Sequence, residues 1–211
     1  KQPSNRVIHR HLDRTSYKLH DLHDSKYFPK HIREYIVEYM RYNLVYKINL
    51  VKPVTITFAL TEYERYNKEH LKEFEDSVEF ILTWLYVCGI YSRGCVKSLD
   101  IMIYPTPFEK QLPTISSKIL DSNNVNSAFT YYCAKKGSIV IYRKEEWRKV
   151  FIHETLHTYG LDFASHDCSP LVNQMKRLFP AKSEYRISEA YTESWARILN
   201  CMMTVFFNSI S

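Results

Sequence analysis

The sequence has few glycines, no closely spaced cysteine pair and no long apolar run. Only four of its 211 residues are glycine, whereas seventeen are tyrosine, which indicates a rigid, aromatic-rich body with surfaces suited to protein contacts. No apolar run approaches the length needed to cross a bilayer, so we expect a protein that is not embedded in a membrane. With 45% hydrophobic and 25% charged residues, the chain can bury a core of its own.

The cysteines are odd in number and form no C-x-x-C pair. This pattern favours reduced thiols in an intracellular protein over a disulfide framework, although it leaves room for a single bridge. Secretion also stays open, because a signal peptide that has already been removed leaves no trace. The five cysteines are Cys88, Cys95, Cys133, Cys168 and Cys201.

The charge balance is modestly basic. The formal net charge is +6 at pH 7, and the isoelectric point is about 8.9. Such a balance allows contact with acidic partners or nucleic acid but requires neither. No nucleic-acid-binding motif accompanies it, so nucleic acid is an unfavoured partner.

The stretch His153-Glu154-Thr155-Leu156-His157 is the most informative part of the sequence because it has the form H-E-x-x-H. Residues four apart on a helix share one face, so His153 and His157 can direct two imidazoles at one metal ion. Glu154 lies about 100° round the helix, where it can reach a water on that ion but is poorly placed as a ligand. Zinc accepts such ligands and acidifies its bound water, which a carboxylate can then deprotonate.

The surrounding residues predict a helix that begins near Arg143 and ends at Gly160. Glu145 and Glu146 would occupy its first turn, where the helix dipole favours acidic side chains. Gly160 is typical of the residue that closes a helix. The apolar residues that indicate a largely buried helix are Val150, Phe151, Ile152 and Leu156.

A catalytic zinc needs a third protein ligand. The metzincin pattern would place a third histidine where this chain has Phe163, with Asp162 one position away. A stronger candidate is Glu189 on a final helix over about residues 187–207, because a carboxylate on so apolar a helix is costly unless paired or metal-bound. The rival third ligands are His166, Cys168 and Glu193.

The two segments together resemble the gluzincins, the zincin metallopeptidases with a glutamate third ligand. His153, Glu154 and His157 match the first gluzincin motif, and residues 188–192 resemble its second motif, of N-E-G-F-A type. The resemblance implies that Glu189 is the third zinc ligand. It also implies that Glu193, one turn further on, orients a ligating histidine.

A second resemblance covers residues 139–163. This run is similar to the zinc metallopeptidase-like proteins of large DNA viruses, which implies a location inside a cell or in a virion. The corresponding fold class is α+β: a zincin-like domain over residues 29–211, with a small mixed sheet, the H-E-x-x-H helix and a C-terminal helix that carries the third ligand. Residues 1–28, which are polar and rich in histidine, predict a flexible or surface-docked arm able to contact a partner.

Local patterns place the elements before the motif. Residues 29–47 predict a helix that begins at Pro29, and residues 52–60, 98–104, 128–132 and 138–142 predict strands. By resemblance, Ser127–Tyr132 is the edge strand to which a zincin adds its extended substrate. The pattern alone allows an interior hairpin strand equally well.

These observations lead to a functional hypothesis, a zinc-dependent metalloendopeptidase or related amide hydrolase acting on a peptide or protein. Glu154 would act as general base, with zinc on His153, His157 and Glu189. The candidate oxyanion donors are Tyr185, Tyr191 and His166. The alternative is a non-catalytic structural or scaffold protein, for example one associated with a virion, that keeps a zincin fold and uses its tyrosine-rich surface or basic arm to bind partners.

Overall fold

A computed structural model describes residues 7–22, 27–49, 52–92, 94–111, 122–180 and 184–210. Its strands are β1 (Val7–Arg14), β2 (Met40–Asn49), β3 (Pro53–Thr61), β4 (Ser98–Ile103), β5 (Ala128–Thr130) and β6 (Lys136–Ile141). Its helices are α1 (Lys30–Tyr39), α2 (Glu62–Tyr66), α3 (Lys68–Tyr91), α4 (Ser122–Val125), α5 (Trp147–Thr158), α6 (Ser169–Leu178) and α7 (Ile187–Ile210). The presence of both helices and strands confirms the predicted α+β class.

The six strands form one mixed sheet in the order β1-β2-β3-β4-β6-β5. Strand β2 pairs antiparallel with both β1 and β3, whereas β3, β4 and β6 run parallel to one another. Strand β5 pairs antiparallel with β6 and ends the sheet. Ala128–Thr130 is therefore an edge strand, as the resemblance predicted, and the interior position that the pattern also allowed is wrong.

Hydrophobic residues cover both faces of the sheet, which is why its parallel centre reads as nearly continuous apolar runs. Ile56, Ile101 and Ile139 stand in register on neighbouring strands and belong to the larger cluster, which also contains residues of α3 and α5. Residues of α1 belong to a second cluster that packs against Val140 and Met102. The sheet is thus a middle layer between helices.

The helix predicted over residues 29–47 is wrong beyond Tyr39. Residues 40–49 form β2, which is hydrogen-bonded on both sides, to β1 and β3. Aromatic and β-branched residues such as Tyr42, Val45 and Tyr46 fit this pleated surface well. Pairing with two strands that are distant in sequence overrides the helical period of the local pattern.

Part of the predicted N-terminal arm belongs to the folded body. Strand β1 forms the second edge of the sheet, and its residues are mostly exposed. Leu22 and Phe28 are buried, and the ring of Phe28 stacks on that of Tyr142 at 4.7 Å. A flexible arm does not describe these residues, while residues 1–6 and 23–26 lie outside the described ranges.

Helix α5 begins at Trp147, later than the sequence predicted. Glu146 adopts a left-handed conformation with φ 56° directly before it. Glu145 accepts a hydrogen bond from the backbone of Lys110, and Glu146 pairs with the same lysine's ammonium group at 3.0 Å. The two acids therefore bind the loop at Lys110 and do not occupy the first turn of the helix.

Buried polar contacts fix α5 against the rest of the fold. Trp84 of α3 donates a hydrogen bond to the Thr155 hydroxyl at 2.5 Å. A Cβ atom at Gly137 of β6 would lie 3.0 Å from side-chain atoms of both Leu99 and Thr158, so a larger residue would push these side chains aside where α5 meets the sheet. The position of the H-E-x-x-H motif is therefore set by close packing on two sides.

The described residues contain the single bridge that the cysteine pattern left open, and no larger disulfide framework. Cys95, which precedes β4, forms a disulfide with Cys133 in the turn between β5 and β6, and their Cα atoms are 5.4 Å apart. Because β4 and β5 both neighbour β6, the sheet brings together residues that are 38 positions apart in sequence. Cys88, Cys168 and Cys201 are free thiols.

Among the described residues, no helix is long and apolar enough to span a membrane.

The disulfide should stabilise the fold measurably. Replacing both Cys95 and Cys133 with serine should lower the free energy of unfolding by about 2 to 4 kcal/mol, because the bridge restricts the unfolded chain across a long loop. Urea denaturation measures the loss, and Cys201→Ser, at an exposed free thiol, is the matched control. A thiol assay on the denatured, unreduced protein should count three thiols, and a count of five would contradict the bridge.

Candidate metal centre and catalytic cleft

Helix α5 presents the two motif histidines on one face, one turn apart. The Nε2 atoms of His153 and His157 are 3.1 Å from each other, so both point at a common place. The backbone turns away just after the motif, at Gly160, whose φ of 63° is left-handed. This part of the site follows directly from the i, i+4 spacing.

Helix α7 adds a carboxylate to the histidine pair. Glu189 Oε2 lies 3.4 Å from His153 Nε2, and Oε1 lies 3.5 Å from His157 Nε2. A tetrahedral ion with bonds of about 2.0 to 2.1 Å holds its ligand atoms about 3.3 Å apart. The two distances involve different oxygens of the carboxylate, and one donor atom from each side chain lies within 4.8 Å of the others, so the three side chains could hold one ion.

The chemistry of the donors narrows the choice of ion. Calcium and magnesium prefer oxygen ligands, whereas two imidazoles favour zinc or another transition metal. Two imidazoles and one carboxylate leave a fourth tetrahedral position available to water or substrate. The cluster of His153, His157 and Glu189 could hold a transition-metal ion, and the choice of zinc stays a prediction.

Each histidine has a carboxylate behind its other ring nitrogen. His157 Nδ1 is hydrogen-bonded to Asp162, whose side chain is fully buried. His153 Nδ1 lies 3.2 Å from Glu193 Oε2. Such carboxylate partners orient metal-binding histidines and make them stronger ligands. Asp162 holds the His157 ring by a hydrogen bond, whereas Glu193 approaches His153 Nδ1 at ion-pair distance without hydrogen-bond geometry.

Glu193 is itself held by cations. Lys149 Nζ lies 3.0 Å from Glu193 Oε1, and Arg197 Nε lies 2.9 Å from the same oxygen. Its contact with Nδ1 of His153, on the far side of the ring from the shared Nε2, suits it to orient the ring and not to act as the rival third ligand. The resemblance to the gluzincins likewise implied that Glu193 orients a histidine.

Sequence reasoning missed the role of Asp162. It considered this residue only as a displaced metzincin ligand, yet the side chain packs beneath His157 and accepts a second hydrogen bond from the backbone of Ala164. The turn at Gly160 carries the chain back under the helix, which brings Asp162 to the ring of His157. The sequence feature that could have indicated this contact is an acidic residue two positions after the glycine that ends the helix.

Glu154 lies beside the cluster in a cleft of about 800 Å³. Its side chain is buried, with 9% of the residue exposed. Burial raises the pKa of this carboxyl, although the nearby imidazoles act in the opposite direction. Ser127–Thr130 line the same cleft, so the edge strand β5 and the motif helix border one space.

Threonine contacts hold the edge strand against the motif helix. The Thr130 hydroxyl donates to Ser138 O at 2.7 Å and also lies 2.7 Å from the Thr158 hydroxyl. The loop before β5 is fixed by the buried Arg143, which donates to Asn126 O at 3.0 Å. One wall of the cleft is therefore tied to both β6 and α5.

The other predicted site residues lie outside the residues that line the cleft. Tyr185 donates a hydrogen bond to Phe179 O, and Tyr191 packs on Phe163 with ring centroids 4.3 Å apart. His166 contacts the edge of the Phe163 ring. Neither His166 nor Cys168 belongs to the donor cluster, whose third member is Glu189. Arg186, beside Tyr185 in sequence, does line the cleft.

The carboxylates raise the pKa values of both histidines above 6.5. For His153, burial lowers the pKa, but contacts with Glu189 and Glu193 outweigh it and raise the value to about 8. For His157, burial is likewise outweighed by Asp162 and Glu189, which raise the pKa to about 10. The same contacts hold the pKa of Glu189 well below its usual range. At neutral pH the metal-free cluster therefore carries a proton that an ion must displace.

No known protein family, curated protein or solved structure matches this chain. The chemistry of the cluster is therefore inferred from its own residues and distances. Those residues are His153, Glu154, His157, Asp162, Glu189 and Glu193.

The raised histidine pKa values predict pH-dependent metal binding. A protonated imidazole cannot be a ligand, so zinc affinity should rise about tenfold per pH unit for each proton displaced, between about pH 6 and pH 8. Competition with a chelator of known affinity measures this slope. Calorimetric heats should also change with the ionisation enthalpy of the buffer, and an affinity that is independent of pH would contradict the protonated cluster.

The carboxylates behind the histidines should support metal affinity without being ligands. Asp162→Asn and Glu193→Gln should each weaken zinc binding by about 10- to 100-fold, because the imidazoles lose their orienting partner. Asp167→Asn, in the exposed loop that follows, is the matched control and should bind zinc as the wild type does. Chelator competition measures affinity, and circular dichroism verifies the fold. Wild-type affinity in both variants would rule out the orienting role.

Proposed function

We propose that this protein is a zinc-dependent metallopeptidase of the gluzincin type, built on a zincin-like fold. The observation that carries the proposal is the convergence of His153, His157 and Glu189 from two helices beside the buried Glu154. A mixed sheet whose edge strand lines the same cleft supports it. Peptide-bond hydrolysis is the reaction class that these parts suit together.

His153, His157 and Glu189 would hold the zinc, with Asp162 and Glu193 fixing the histidines. When bound, zinc supplies a Lewis acid that lowers the pKa of a water molecule and polarises the scissile carbonyl. The protein contributes a pre-formed donor set, since packing of α5 against α3 and β6 restricts both imidazoles. Little reorganisation is then needed at the moment of reaction.

Glu154 is the proposed general base. It takes a proton from the attacking water and later delivers the proton to the leaving amine. Burial raises its pKa, which makes the carboxylate a stronger base than one in open solvent. A structural zinc site has no use for such a residue, and this favours the enzyme over the non-catalytic scaffold.

Strand β5 is the proposed binding edge for an extended peptide. It is the last strand of the described sheet, and its residues line the cleft that also contains the donor cluster. A substrate strand added there would hydrogen-bond to the backbone of β5 and lay its carbonyl groups across the site. The cleft is an open groove, which suits a polypeptide substrate.

The second stabiliser of the oxyanion is proposed to come from the cleft wall. Tyr185, Tyr191 and His166 lie outside that wall, whereas Arg186 lines it and stands one turn before Glu189. A guanidinium can donate a hydrogen bond and offset the negative charge that develops on the carbonyl oxygen.

Replacing Glu154 with glutamine tests the proposal. The variant should bind zinc as the wild type does but lose about 100- to 10,000-fold of its turnover, because glutamine cannot accept the proton. Digestion of a peptide library, read by mass spectrometry, measures activity, and elemental mass spectrometry measures zinc. Glu75→Gln, at an exposed acid on α3, is the matched control.

Two outcomes would contradict the proposed function. Wild-type turnover in Glu154→Gln would remove the general base. A wild-type protein that binds zinc in the expected ratio yet cuts no library peptide would favour the scaffold alternative.

A further inference from the structure

The outer side of α7 carries a row of exposed apolar residues. We define the outer stripe as Trp195, Ile198, Met202 and Val205, which are 42%, 50%, 61% and 69% exposed. Exposed hydrophobic residues are common singly, but four large ones in one row on one helix mark a contact surface. The exposed Phe206 lies at the edge of the stripe.

The outer stripe is separate from the face by which α7 joins the fold. Ala196 is buried in the larger core, and Leu199, Met203 and Phe207 pack against it. The charged residues of α7 lie on a third side, towards the cleft, where Glu193 meets Lys149. The stripe itself contains no charged residue, and none follows Arg197 on the helix.

The spacing of the outer stripe is that of a coiled-coil seam. Its four residues follow one another at intervals of three, four and three, which matches alternate a and d positions of a heptad. In an antiparallel pair of identical helices, Trp195 would face Val205 and Ile198 would face Met202. Each pair occurs twice by symmetry, so the interface would have four layers. The stripe is therefore complementary to itself, with a large residue opposite a smaller one in the outer layers.

We propose that the outer stripe is a homodimer interface, in which α7 of one copy packs antiparallel against α7 of a second copy. A two-fold axis would pass between the helices near residue 200, so each contact occurs twice. The proposal goes beyond the peptidase activity and does not depend on it.

The area of the outer stripe is large enough for a weak, symmetric dimer. From the exposed fractions of the stripe and Phe206, we obtain about 500 Å² of surface per copy, taking roughly 150 to 250 Å² for a large side chain. The pair would bury about 1,000 Å² in total, at the lower limit of specific interfaces. A reversible dimer that depends on concentration is therefore expected. The cleft stays open, because Glu189 and Glu193 face another side of α7.

Solution mass is the direct test. The wild-type protein should shift from 25.2 kDa, the mass of one chain, towards twice that mass between micromolar and near-millimolar concentration in sedimentation experiments. Ile198→Glu should raise the dimer dissociation constant by about 100-fold or more, since symmetry places the charge in the interface twice. Met202→Glu should act alike. Leu178→Glu, at an exposed leucine of α6, is the matched control and should remain a dimer.

A crosslinking experiment tests the orientation independently. Cys201 is an exposed free thiol beside the central layer, so antiparallel pairing brings it next to its counterpart. A bismaleimide that spans about 8 to 10 Å, the usual separation of packed helices, should link the two copies through Cys201. Cys201→Ser should abolish the product, and peptide mapping should find Cys201 joined to itself.

Several results would overturn the homodimer. One is a wild-type protein that stays a monomer at every concentration, or that forms larger species without a dimer. Another is a dimer that survives both glutamate variants or that crosslinks through Cys168. Circular dichroism of each variant shows that it is folded, so a monomeric glutamate variant reports the interface and not unfolding. Zinc content and peptidase activity are not needed for any of these readouts.

Discussion

The packing of α7 against α5 is the constraint on which the candidate site depends. Two histidines on one helix supply only half of a cation site, and the carboxylate that completes the cluster comes from the other helix. The same crossing brings Glu193 to the back of His153. If α7 were displaced by one turn, both acids would lose their histidine, so the donor set exists only while the two helices keep their register.

Buried polar and charged groups are concentrated in this part of the fold. Asp162, Glu154 and Arg143 are all withdrawn from solvent, and buried charges persist only where partners compensate them. Asp162 has His157, and Arg143 binds backbone carbonyls of two loops. Each compensated charge fixes a wall of the cleft. The proposed chemistry and the local stability thus draw on the same contacts.

Local periodicity predicted some elements well and others poorly. The final helix and, apart from its start, the H-E-x-x-H helix agree with their patterns, because helical periodicity is specified by nearby residues. Residues 40–49 failed as a helix because pairing on both sides decided their conformation. Residues 7–14 were assigned to an arm because a mostly exposed edge strand has little hydrophobic pattern of its own, and its pairing with β2 cannot be read from the local sequence. Glu145 and Glu146 fitted a helix start but bind Lys110.

The sequence alone determined that His153 and His157 share a face with Glu154 beside them, because a helical turn is a local property of the chain. It also favoured Glu189 as the third donor, from the cost of a carboxylate on an apolar helix and from the resemblance. Only the tertiary structure decided that Glu189 reaches both histidines, that Asp162 lies behind His157 and that Cys95 meets Cys133. Those contacts depend on how strands and helices cross, and such crossings are set by packing between segments far apart in sequence.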